Sequence, residues 1–104
     1  MDELRGQIVI VAANKGGADT IFVGTFLGVV AGHYALGNAC MIRSYREKSV
    51  AALAGHPGLT TLDSTGVPGG RVYMPIQAAV CLVVCDREKW APVLSQLYPG
   101  EGGQ

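Results

Sequence analysis

From Thr20 to Ile42 the chain carries no charged residue. This run constrains the fold more than any other feature. Within it, Ile21, Phe22, Val23, Phe26, Leu27, Val29, Val30, Tyr34 and Leu36 would cover every side of a helical wheel. The run predicts a helix from Asp19 to Leu36, stopped by Gly37-Asn38. A helix that is apolar all round is buried all round. A small sheet could cover only one side, so the other side calls for a partner. Gly24, Gly28 and Gly32, four residues apart, would line one helix face and let a second element approach closely. A membrane span needs about 20 apolar residues. Asp19, His33, Tyr34, Gly37 and Asn38 shorten the clean core to Ile21–Gly32, and strand and helix patterns surround it. A buried interface helix is therefore expected rather than a membrane span.

Composition points the same way. Charged residues make up 15% of the 104 residues, and eight basic side chains balance eight acidic ones. Soluble domains usually carry about 25% charged residues. So few charges, with no net repulsion between copies, favour a homo-oligomer. The lack of a basic excess argues against nucleic acid as a partner. Cys40, Cys81 and Cys85 are odd in number and sit in apolar segments, as reduced thiols of a cytoplasmic protein would. The opening MDELRGQ has none of the marks of a secretory signal.

Along the chain, Gln7 to Ala13 read as a strand buried on both faces. Residues 39–43 form a second strand. Ser44 and Glu47 make a capping box for a short helix ending at Gly55. Residues 59–62 are a short strand before the turn 63–66. Residues 71–85 form one bent strand or two, broken near Pro75 and Gln77. Asp86 caps a last helix to about Tyr98, with Pro92 badly placed inside it, so that its regular part would begin later. The expected fold class is α/β, a small mostly parallel or mixed sheet with helices packed on it in the order β-α-β-α-β-β-α. Residues 1–98 would form one domain and 99–104 a flexible tail.

The order strand, glycine loop, helix binds phosphate in many proteins, because backbone N–H groups and the helix dipole face the anion. Here QIVIVAA is followed by NKGGADT and then by the apolar run. Over residues 7–44 the chain resembles the start of ParA/MinD-type P-loop ATPases. Lys15, Gly16 and Gly17 match the opening of their deviant Walker motif, and Thr20 stands where the magnesium-binding Ser/Thr closes it. The loop is one residue short, Asp19 stands near the place of the second lysine, and RSYRE lacks the family's acidic motif. The resemblance thus implies a site that holds an anion or nucleotide without hydrolysing it. Its residues would be Asn14, Lys15, Gly16, Gly17 and Thr20; Arg43 and Arg46, basic residues after the second strand where open α/β sheets bind ligands, would help hold the anion.

Other chemistry has less behind it. Cys81 and Cys85 on a strand would be about 13 Å apart, too far to share one zinc. His33 reads as a packed histidine. His56 lies in GHPG, and Asp63, Ser64 and Thr65 lie in a turn sequence, DSTG. A small enzyme built on His56, Asp63 and Ser64 would need the loops 55–58 and 63–70 to converge. Two functions lead: a non-catalytic homo-oligomeric module that binds an anionic small molecule or nucleotide at the glycine loop, and a structural protein whose apolar helix and glycine face build an assembly. No residue pattern names a cofactor or a metal site.

Overall fold

A computed structural model describes residues 2–15, 18–45 and 50–98 of the chain. It is dominated by strands: β1 (Ile8–Lys15), β2 (Ala18–Val30), β3 (His33–Tyr45), β4 (Thr60–Ser64), β5 (Val72–Pro75) and β6 (Ala79–Val84). Two helices, α1 (Val50–Ala54) and α2 (Arg87–Leu97), join them. All strand pairings are antiparallel, in the order β4-β3-β2-β1-β6. β5 pairs with the first part of β3, alongside β4 on the same edge.

This overturns the α/β reading and its parallel or mixed sheet. The predicted helix Asp19–Leu36 is instead the hairpin of β2 and β3, closed by Val30 opposite His33. The physical reason is side-chain shape. Ile21, Phe22, Val23, Thr25, Phe26, Val29 and Val30 are β-branched or aromatic, and such residues favour the pleated surface of a sheet. A strand buried on both faces is apolar on both, so it mimics an all-round apolar helix. The turn is made by Ala31 (φ 49°) and Gly32 (φ 76°), both left-handed as a two-residue hairpin of the primed type requires.

The sheet buries a core on each face. One core combines Ile8, Ile10, Ile21, Val23, Cys40 and Ile42 with Leu53 of α1 and Trp90 and Leu94 of α2. Trp90 is fully buried, and its Nε1–H donates to Leu53 O at 3.1 Å, tying the helices together. The other core contains Val9, Val11, Phe26, Leu36, Ala39 and Met74, and no residue of α1 or α2. A flat sheet could not bury it, so the sheet curls around it. Register shifts at Val23/Thr25 and Phe26/Gly28 in the β2–β3 ladder supply bends.

The three glycines therefore form no helical groove. A Cβ on Gly24 would come within 3.0 Å of Ala39, so β2 and β3 pass too close for a side chain there. Gly28 has φ +127°, beside the Arg5 guanidinium, and Gly32 is in the turn. Most of the apolar run is buried inside one chain, with Val29, Val30 and Met41 left exposed, so the run as a whole no longer calls for a partner.

The remaining segments follow local rules. Asp86 caps α2 by accepting from the Glu88 N–H at 3.1 Å. Contrary to expectation, α2 is helical from Arg87 on, with Pro92 inside it. The Ser44–Glu47 capping box lies mostly outside the described residues. So does the tail 99–104. No helix among the described residues is long and apolar enough to cross a membrane.

Candidate functional site

β1 and β2 are directly paired up to Lys15 opposite Ala18, with Asn14 opposite Asp19 and Ala13 opposite Thr20. The segment expected to be a phosphate loop thus lies between two paired antiparallel strands. No helix follows β1, so the dipole and the row of free N–H groups that would hold phosphate are absent from this part of the fold. That removes the basis of the P-loop ATPase resemblance. Thr20 and Arg43 do come to the same end of the sheet as Asn14, because the β2–β3 ladder stops at Phe22 opposite Met41, two residues short of both. Arg43 is engaged there: its Nε lies 3.5 Å from Asp63 Oδ2. Gly16, Gly17 and Arg46 lie outside the described residues.

The enzyme-like set is not assembled. His56 precedes β4, separated from it by the 3-10 turn Pro57–Leu59, while Ser64 ends β4, a strand about 13 Å long at some 3.3 Å per residue. Ser64 Oγ accepts the Gly66 N–H and Thr65 Oγ1 accepts the Val67 N–H, both at 3.2 Å. These are the side-chain-to-backbone bonds of an ordinary turn. His56 borders an open depression of about 740 Å³ with Gly55, Pro57, Gly58 and Lys89.

His33 opens β3, half-buried, with Nδ1 2.8 Å from Ala31 O in the hairpin turn. The cysteines carry no disulfide. Burial pushes the Cys85 thiol up to about 12 and the Cys40 thiol up to about 11, the latter against a smaller opposing effect of the Tyr98 hydroxyl. Both stay protonated and unreactive at neutral pH. No group of three or more metal-ligating side chains is found among the described residues.

What stands out is an edge. β6 reads AVCLVV, with no charged side chain, and pairs only with β1 among the described strands. The Cys85 N–H donates to Ile8 O at 2.8 Å, next to the Val84–Val9 pair. In an antiparallel ladder this makes Val84–Val9 a non-hydrogen-bonded pair, and Leu82–Val11 by alternation another. The peptide groups of Leu82 and Val84 therefore point away from β1. Val80 (67% exposed) and Val84 (44%) add apolar side chains to the same edge. Sequence reasoning recognised β6 as a strand but not as an edge. Strand order decides that, and it is not written in the residues of β6.

No family model matches the chain. No curated protein matches it either. Among solved structures it is similar to a novel Sm-like archaeal protein from Pyrobaculum aerophilum, with 16% sequence identity and a TM-score of 0.49. The match covers 95% of this chain and 62% of that one, so this chain spans less than two thirds of the other's length.

Proposed function

We propose that this chain is a self-assembling β domain, in which the β6 edge of one copy adds to the β4/β5 edge of the next. The observation behind it is the uncharged edge of β6 that no described strand pairs. An exposed row of peptide groups flanked by apolar side chains invites another strand. Natural sheets blunt such edges with charges, proline or a cover, and β6 itself contains neither charge nor proline. The low charge content and zero net charge of the chain support the same reading. Pairing β6 with β4/β5 is preferred over pairing β6 with itself, because it satisfies both open edges of each copy. Such head-to-tail contacts build rings or filaments.

Sedimentation velocity tests this. At micromolar concentration the wild-type protein should sediment as a species larger than a dimer. Val84→Pro removes an outward-facing N–H and leaves the bonds to β1 intact, so it should give a folded monomer. A wild-type protein that stays monomeric throughout the micromolar range would refute the proposal. A dimer insensitive to Tyr73→Lys would replace head-to-tail pairing with β6 against β6.

Anion capture between Asn14 and Thr20 has less behind it, since the strand β2 rather than a helix follows β1 and Arg43 is paired with Asp63. It would require Lys15→Ala to weaken phosphate binding measured by calorimetry.

A further inference from the structure

A cavity of about 160 Å³ lies between α2 and the sheet. Gly6 and Ile8 line it from the start of β1, Thr25 from β2 and Asn38 from β3. Arg87, Ala91, Leu94 and Ser95 line it from α2. The four helix residues recur at the spacing that places them on one face. Buried Ile8 and Leu94 supply apolar surface. The polar side chains are one guanidinium, one carboxamide and two hydroxyls. All four can donate hydrogen bonds, and none is a carboxylate. Among the described residues, none of the four side chains is engaged in a hydrogen bond or ion pair within the protein. Asn38 is held at φ 49°, a left-handed conformation that asparagine tolerates better than most residues.

We propose that this cavity binds a small anion headed by a carboxylate or a phosphate. Arg87 would provide the charge and a forked pair of donors. Thr25, Asn38 and Ser95 would complete the shell around the acceptor oxygens. The volume is that of about five water molecules at about 30 Å³ each, enough for an anionic head and a few further heavy atoms. The nearest acids along the helix are Asp86 and Glu88. Asp86 is committed to capping α2, accepting the Glu88 N–H, and neither residue lines the cavity.

Amide NMR of isotope-labelled protein, titrated separately with inorganic phosphate, sulfate and succinate, tests the proposal. At least one anion should give saturable shifts clustered at Thr25, Asn38, Arg87 and Ser95. Arg87→Gln should weaken that binding at least tenfold with the rest of the spectrum unchanged, whereas Arg71→Gln on the exposed surface should leave it as it was. Saturation by phosphate and sulfate alone assigns an oxyanion head, and saturation by succinate alone a carboxylate. Absence of saturable shifts with all three anions would overturn the proposal. So would shifts spread over surface lysines and arginines and indifferent to Arg87→Gln.

Discussion

The two edges of the sheet are built differently. On one side, β4 is polar (TTLDS), and its Asp63 is paired with Arg43 of β3. β5 beside it is only four residues long and ends in Pro75. The connection between them is pinned: Gly70 is buried, and the Tyr98 hydroxyl donates to Ala39 O at 2.7 Å next to it. On the other side, β6 offers six uncharged residues and outward peptide groups. Charge, shortness and proline are the usual protections of an edge strand. One edge has all three and the other has none, which marks β6 as the strand that seeks a partner.

The largest effect should come from β6 itself. Val84→Pro or Val80→Lys should weaken self-association about tenfold or more, since a lost backbone hydrogen bond or an added edge charge costs on the order of 1 kcal/mol or above. Sedimentation measures it. Tyr73 on β5 is 51% exposed, and Tyr73→Lys should weaken assembly as well if that edge is the acceptor. An effect at β6 with none at β5 would break the pairing of the two edges.

Next comes the pin. A Cβ at Gly70 would lie 2.6 Å from both Ala39 N and Tyr98 Oη, at φ +56°. Gly70→Ala should cost about 1–3 kcal/mol or more, seen as a lower denaturation midpoint. An unchanged midpoint would mean that the β4–β5 connection is not anchored there.

The thiols give a finer comparison. Cys81 on β6 is half-buried, whereas Cys40 and Cys85 are buried. A thiol reagent at neutral pH should modify Cys81 first and the other two only on unfolding. Equal rates at all three would contradict the burial. Both buried thiols have folded values raised above the ordinary 9.0, to about 11 and about 12. Their native state keeps protons that the unfolded chain loses, so this contribution to stability is complete below about pH 9 and is lost as pH rises from there through 11 to 12. Urea midpoints between pH 8 and 11 check the sign, and Cys85→Ala should flatten the decline.

The smallest effect is local. Ala31 has a left-handed φ of 49°, which costs an L-residue roughly 1 kcal/mol. Ala31→Asn should raise stability by about 0.5–1 kcal/mol, because Asn-Gly is the preferred sequence of this turn. A lower melting temperature would show that the turn is not what sets this hairpin.

Much of the local structure was legible. β1, the break between β5 and β6 near Pro75 and Gln77, and the Asp86 cap each follow from a few neighbouring residues. The architecture was not. Residues 20–36 satisfy an all-round apolar helix and a doubly buried strand equally, and what separates them is residue shape rather than hydrophobic pattern. The evenly spaced glycines strengthened the wrong choice, although Gly24 is there for the close passage of Ala39 and Gly32 for the turn. A phosphate loop at Lys15-Gly16-Gly17 depends on a helix following it, and the strand β2 that follows β1 removes that chemistry. The polar cavity was illegible for a simpler reason. Thr25, Asn38 and Arg87 lie far apart in the chain, and only the docking of α2 brings them together.

Amide hydrogen exchange along β6, measured over a range of protein concentrations, tests the assembly most directly. Val83 and Cys85 direct their N–H groups toward β1, so they should exchange slowly at every concentration. Leu82 and Val84 direct theirs outward. The account predicts that these two are protected at high concentration and lose protection on dilution, in step with dissociation. Free exchange of Leu82 and Val84 at concentrations where the protein is associated would place the interface elsewhere and contradict the account.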